Sequence, residues 1–286
     1  RSRHTRSRLL SRGLGDVYKR QEEGFSSRWM DTYPRPGKRA GAYSSGSAYG
    51  VHPYVLMNYN DDYESVSTLA HEWGHAMHTL YAAESQPYET ADYANFIAEV
   101  PSTMLELVLQ DYMVEHAESD AERLFYLGSA LESLRTPFVR QTMFAEFELA
   151  LYEAVERGEA LSGERISNMY GEILRRYHGH EEGVVNVDEL YINEWMFVPH
   201  FYYNMYVFQY ATSQTARTAM YEKIVEQGEP AVENVKNLLR AGVSDDPNEL
   251  LLRAGVDLAT PEPYRAVIRK LNALMDEMEV LLENRT

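Results

Sequence analysis

The chain has 286 residues, 44% of them hydrophobic and 25% charged, and a formal charge of −17. That balance describes a soluble globular protein with a substantial core, and its acidity argues against a nucleic-acid-binding surface. There is no cysteine, so disulfides, thiolate metal sites and cysteine nucleophiles are excluded.

Residues 1–20 hold six arginines and Lys19 against a single acid, Asp16, which leaves the other 266 residues at −23. The composition changes after Gln21, so 1–21 is set apart as a non-native or targeting-like segment and 22–286 as the folded part. No apolar run approaches the ~18 residues of a membrane helix, and no secretory h-region opens the chain. A cytoplasmic protein without membrane contact is therefore expected. Residues 31–50, rich in glycine, proline and serine, read as loop with a short hairpin. The run His52-Pro53-Tyr-Val-Leu-Met-Asn-Tyr59 reads as a strand. Pro53 puts it at a strand start or on a sheet edge, where an extended peptide could pair with it.

Asn60-Asp61-Asp62 supplies turn and N-cap chemistry for a helix over about 63–82, and the rest of the chain reads as almost entirely helical. Helices are expected over 92–116, with Pro101 near the start or at a kink, and over 120–157, broken or kinked near Pro137. Further helices are expected over 163–177 and 188–196, then an aromatic one from Pro199 to Gln227, closed by Gly228. Three more follow in the tail. Leu-Leu-Arg-Ala-Gly-Val occurs at 238–243 and again at 251–256, which reads as two similar helix C-caps.

Within the first of these helices stands His71-Glu72-Trp-Gly-His75-Ala-Met-His78. Residues at i and i+4 share a helix face, so His71 and His75 can reach one ion. Glu72 lies beside them, placed to act as base on a metal-bound water. An amphipathic helix with polar residues in this order by chance is the bland alternative, and a third ligand separates the two. Without cysteine, that ligand must be a carboxylate or imidazole. Glu99, in an apolar setting at the start of the next helix, is a candidate, as are Glu84, Glu89, Asp92 and Glu106. Glu106, seven residues beyond Glu99 and so on nearly the same helical face, could accept a hydrogen bond from a ligating histidine. His78 reads as structural, and His52, His178 and His180 as loop histidines, the last two with a possible part in substrate binding.

The motif His71–His78, followed by Ala98-Glu99-Val-Pro-Ser-Thr-Met-Leu-Glu106, resembles the thimet-oligopeptidase superfamily of zinc metallopeptidases, in its oligoendopeptidase F branch. Gly37–Ser44, His52–Tyr59, Pro199-His200-Phe-Tyr-Tyr203-Asn-Met-Tyr206-Val-Phe-Gln-Tyr210 and Ala254–Pro263 extend the resemblance over nearly everything from residue 29 on. It implies a mainly α, zincin-like catalytic domain with a short β-sheet before the metal helix. It also implies one Zn2+ per chain on His71, His75 and Glu99, and Glu72 as general base. Substrate and transition-state contacts are implied for His200, Tyr203 and Tyr206, with Tyr202 or Tyr210 as alternates because the spacing is shorter than in the thimet branch.

The expected activity is hydrolysis of internal bonds in short peptides. Members of the family are about twice as long, so the resemblance covers a C-terminal catalytic half, and a missing N-terminal half would complete the substrate channel. Exposed apolar surface is expected on the face it would cover. A zinc carboxypeptidase or dipeptidyl carboxypeptidase, and a catalytically incomplete helical fragment that binds peptides, are the rival readings.

Overall fold

A computed structural model describes residues 15–284, with side chains from Lys19 on. The Arg-rich start at 1–14 lies outside the described residues. Helix α1 (Gly15–Ser26) runs through the expected boundary at Gln21, and Arg20 pairs with Glu84 at 2.7 Å. The fold is mainly α with one small sheet, and among the described residues no helix is long and apolar enough to cross a membrane.

The sheet has three strands, β1 (Met30–Asp31), β2 (Tyr43–Ser45) and β3 (Tyr54–Leu56), in the order β1-β3-β2. β3 pairs parallel with β1 and antiparallel with β2. The strand expected at His52–Tyr59 is thus shorter, and it is not an edge. Its two main-chain sides are both taken, so it cannot pair with a peptide. Pro53 stands just before its first residue, where a missing N–H costs no ladder bond. β2, not β3, is an edge strand.

The chain divides into two compact units. The first is discontinuous, made of residues up to Ser133 and from Ser213 on, and the second is Leu134–Thr212. In the first unit, α2 (Tyr63–Ser85) starts at Asp62, whose carboxylate accepts the Ser65 N–H at 2.8 Å, the N-cap anticipated from the sequence. It packs against α3 (Asn95–His116), which carries Pro101 inside it, and α4 (Asp120–Leu134) follows. The chain returns within α7 (Phe208–Gln227), which passes into the first unit at Ser213, and continues through α8 (Glu229–Ala241), α9 (Pro247–Arg253) and α10 (Glu262–Glu283). Gly242 and Gly255, the glycines of the two similar hexapeptides, follow α8 and α9 closely and both have positive φ, 53° and 89°.

One core joins Ile97, Val100, Met104 and Leu107 of α3 to Ala216, Met220 and Ile224 of α7 and Val232 and Leu238 of α8. Another joins Trp29, Val55 and Met57 around the sheet to Trp73, Met77 and Tyr81 of α2 and Leu239 of α8. The end of α8 is tied to the α2–α3 connection by Gln86 Nε2 to the Arg240 carbonyl (2.9 Å) and Val243 N–H to the Thr90 carbonyl (3.0 Å).

The second unit opens with a π-helical stretch, Arg135–Arg140, where Pro137 widens the helix without ending it, and continues as α5 (Gln141–Glu156) and α6 (Gly163–Tyr177). Its core is aromatic, with Phe144, Phe147 and Tyr170 buried and Phe201 packed on them. The helix expected over 188–196 is a 3-10 stretch, Glu189–Phe197. The continuous aromatic helix expected over 199–227 is broken. A 3-10 turn, Pro199–Tyr203, is followed by Asn204 and Met205 with φ of 51° and 56°, and α7 begins only at Phe208. Two left-handed residues in succession end any helix.

Candidate metal centre

His71 and His75 lie one turn apart on α2, and Glu99 meets them from α3. The His71 and His75 Nε2 atoms are 3.1 Å apart, and Glu99 Oε2 lies 3.3 Å from the first and 3.5 Å from the second. Gly74, between the two histidines, permits this approach, since a side chain there would run into the α3 backbone at Pro101 and Ser102. Glu99 also accepts the Ser102 hydroxyl at 3.0 Å. Its side chain is 35% exposed, more open than its apolar neighbours suggested.

His71 Nδ1 lies 2.6 Å from Glu106 Oε1, the contact anticipated from the spacing of Glu99 and Glu106. With Nδ1–H donated to that carboxylate, the Nε2 lone pair must face His75 Nε2 and Glu99 Oε2. Three acceptors crowded together repel one another unless a cation or a shared proton sits among them. Four-coordinate zinc with bonds of 2.0–2.1 Å needs ligand atoms about 3.3 Å apart, which the trio fits as it stands. Among the described residues this is the group of histidines and acids able to hold a metal.

With protons alone to bind, the site still selects for positive charge. Burial works against a charged His71, yet the hydrogen bonds to Glu106 and Glu99 overcome it and push its pKa up to about 10. Burial likewise raises Glu99, but its bonds to the two imidazoles win and hold it well below the usual carboxylate range. Glu72 is only 7% exposed. Burial lifts its pKa, opposed by both imidazoles and by a backbone hydrogen bond from Ser44 of β2. A carboxylate so placed is a stronger base than one in water.

Arg217 is a buried charge that the reading of the sequence did not single out. It is fully buried on α7 and donates Nη1 to the Thr103 carbonyl of α3, while Nε and Nη2 have no hydrogen-bond partner among the described residues. Burial lowers its pKa to about 10 against the pull of Glu106. A charged residue in the small-residue run Thr215-Ala-Arg217-Thr-Ala was the available signal. A cleft of about 740 Å³ opens beside the His71–Glu106 pair, lined by Tyr63, Ser67, Gln110, Phe125 and Ser129 among others. His78 is fully buried and stacks on Tyr93 with ring centroids 3.7 Å apart. His52 stacks on Trp29. His178 and His180 each engage the backbone locally through Nδ1, which leaves them structural work at the end of α6.

His200, Tyr203 and Tyr206 belong to the second unit, where they form one ring cluster with Tyr210. His200 stacks on Tyr206 (5.8 Å, 19° between planes) and meets Tyr203 and Tyr210 edge-on at 5.9 and 6.1 Å. Tyr202 stands apart, 75% exposed.

A helix presenting His-Glu-x-x-His, a carboxylate from the next helix and a small sheet before them define a zincin-like fold. Residues 13–269 match the model of peptidase family M3, and the chain belongs to that family, on its thimet-oligopeptidase side. It is 43% identical over 270 residues to oligopeptidase PepF of Bacillus subtilis, covering 94% of this chain and 40% of that protein. To the plasmid-borne oligoendopeptidase F of Lactococcus lactis subsp. cremoris it is 37% identical over 271 residues, covering 94% and 44%. Among solved structures it resembles oligoendopeptidase F from Enterococcus faecium, with a TM-score of 0.69 and 33% identity over 77% of this chain and 40% of that one. A structure described as a peptidase from Chlamydophila abortus gives 0.86 and 34%, covering 98% and 47%. The chain thus spans less than half the length of these relatives.

Proposed function

We propose that the chain is the catalytic part of a cytoplasmic zinc-dependent oligopeptidase that cleaves internal bonds of short peptides. The observation that carries this is the triangle of His71 Nε2, His75 Nε2 and Glu99 Oε2, 3.1–3.5 Å on a side, with His71 oriented by Glu106. Zinc bound there, one ion per chain, would supply a Lewis acid for the scissile carbonyl and acidify a water molecule.

The protein's own groups do the rest. Glu106 keeps the Nε2 lone pair of His71 turned toward Glu99. Glu72 takes the proton of the attacking water and hands it to the leaving amine. The family resemblance assigns the transition-state contacts to His200, Tyr203 and Tyr206, whose N–H and O–H groups are the kind of donor that lowers such a barrier by about 2.7–4 kcal/mol in comparable enzymes. The relatives named above are more than twice as long, and in this reading the remainder of such a protein closes the substrate channel.

The test is zinc content by elemental analysis, on the wild-type chain and on Glu99→Ala together, followed by product analysis with an end-blocked peptide. About one zinc per wild-type chain, its loss in the variant, and internal cleavage are expected. A folded wild-type chain that takes up no zinc overturns the reading, and release of C-terminal fragments alone replaces it with a carboxypeptidase.

A further inference from the structure

The turn between the Pro199–Tyr203 stretch and α7 is held in an unusual way. Asn204 and Met205 both have left-handed backbones, with φ of 51° and 56°. Asparagine tolerates that region. Methionine has no local hydrogen bond to offset the crowding of its Cβ, so something outside the turn must impose the conformation.

α5 supplies it. The Met205 N–H donates to Glu148 Oε1 at 2.7 Å, and one turn further along the helix the Tyr152 hydroxyl donates to Asn204 Oδ1 at 3.0 Å. Glu148 is 3% exposed and lies next to the buried Phe147 in sequence. A carboxylate in such a place is costly unless a donor holds it, and the Met205 amide is that donor. The rings on either side depend on the same turn. His200 and Tyr203 come before the left-handed pair and Tyr206 directly after it, yet His200 stacks on Tyr206 at 5.8 Å and Tyr203 meets Tyr206 edge-on at the same distance. Residues six apart, such as His200 and Tyr206, do not face each other on a continuous helix, so their stacking goes with the left-handed backbone at 204–205.

We propose that Glu148 is a positioning residue: by capturing the Met205 amide it fixes the left-handed pair, and with it the arrangement of His200, Tyr203 and Tyr206. This goes beyond the peptidase reading, which gives the three rings a role but no support, and it rests on that reading only where turnover is concerned.

The experiment compares Glu148→Gln, Glu148→Leu and Glu148→Leu/Met205→Gly in the zinc-loaded chain. It follows ring-to-ring nuclear Overhauser contacts between His200 and Tyr206, chymotryptic cutting at 202–206, and kcat and KM. Glutamine still offers a carbonyl oxygen to the amide and should behave as wild type. Leucine fills the space but accepts nothing. The ring contacts should then vanish, cutting at 202–206 should accelerate roughly tenfold or more, and kcat should fall by a like factor with KM little changed. Glycine at 205 adopts positive φ freely, so the double variant should recover the ring contacts and most of kcat.

Leucine indistinguishable from wild type in contacts and cutting overturns the proposal. So does glutamine as damaged as leucine, or a double variant that recovers nothing. If no form cleaves peptides while the contacts and cutting change as described, the peptidase reading fails and the role of Glu148 stands. Should Glu148→Leu not fold, the Glu148→Gln result and the contacts in Met205→Gly alone, expected unchanged, decide the matter.

Discussion

Gly74 lies between His71 and His75, and a Cβ at that position would stand 2.7 Å from the Pro101 carbonyl oxygen and 2.8 Å from the Ser102 nitrogen, with Ser102 Cα closer still. Ordinary van der Waals contact begins near 3.4 Å. Neither neighbour is a flexible side-chain tip, so Gly74→Ala can be accommodated only by moving α2 and α3 apart by about 1 Å. Both histidines ride on α2 and Glu99 on α3. The separations of 3.3 and 3.5 Å between Glu99 and the imidazoles would grow to about 4.3–4.5 Å, well beyond the roughly 3.3 Å that zinc requires. The variant should lose about 1–3 kcal/mol of folding stability and bind zinc roughly 100-fold more weakly or worse, since displacing a ligand costs at least as much as losing an outer hydrogen bond. Chelator competition and urea unfolding measure the two effects. Gly128→Ala on α4 is the control, because among the described residues nothing beyond its own stretch of helix lies within 4 Å of a Cβ there. It should leave zinc binding unchanged and raise stability by about 0.4–1 kcal/mol. A Gly74→Ala chain that binds zinc as tightly as wild type would refute the close-packing argument for the site.

Glu72→Gln should retain zinc by elemental analysis and lose about 10²–10⁴-fold in turnover; a variant with appreciable turnover would remove Glu72 from the role of base. Glu106→Ala should weaken zinc binding about 10–100-fold in the same competition assay, and an unchanged affinity would mean that the Glu106 contact does not orient His71. In the zinc-free chain His71 has its pKa raised from 6.5 to about 10, so its contribution to stability is fully present below pH 6.5 and is lost as pH rises through about 10. Urea midpoints of the zinc-free chain should fall across that window, and those of the zinc-loaded chain should not show this loss. Equal slopes for the two forms would be evidence against the His71–Glu106 and His71–Glu99 bonds.

The parts of this site that depend on local spacing were legible in the sequence. His71 and His75 declare themselves by their separation on one helix, Asp62 by its place before an apolar period, and Glu106 by lying two turns beyond Glu99. The parts that depend on distant partners were not. β3 is three residues long, and its place at the centre of the sheet follows from Met30–Asp31, which the sequence offered no reason to pair with it. Arg217 reaches a carbonyl 114 positions away. The break before α7 has no proline or glycine at 204–205 to mark it, and the group that holds it is Glu148, far back in the chain. Pro137, by contrast, did signal an irregularity, but the chain absorbed it as a π-helical stretch and stayed helical.

The discontinuity of the first unit sets an order on synthesis. The apolar back of α3, which positions Glu99, is covered by α7 and α8, and these emerge from the ribosome about 140 residues after His71. At ordinary elongation rates that is a delay on the order of ten seconds. Throughout it α2 and α3 can pack on each other and on the sheet, but the far face of α3 lacks its cover, and Ile97, Val100, Met104 and Leu107 remain open to chaperones or to a neighbouring nascent chain. A nascent chain stalled before Ser213 should bind added zinc more weakly than one in which Ala241 has left the ribosome, because only the second can cover the back of α3.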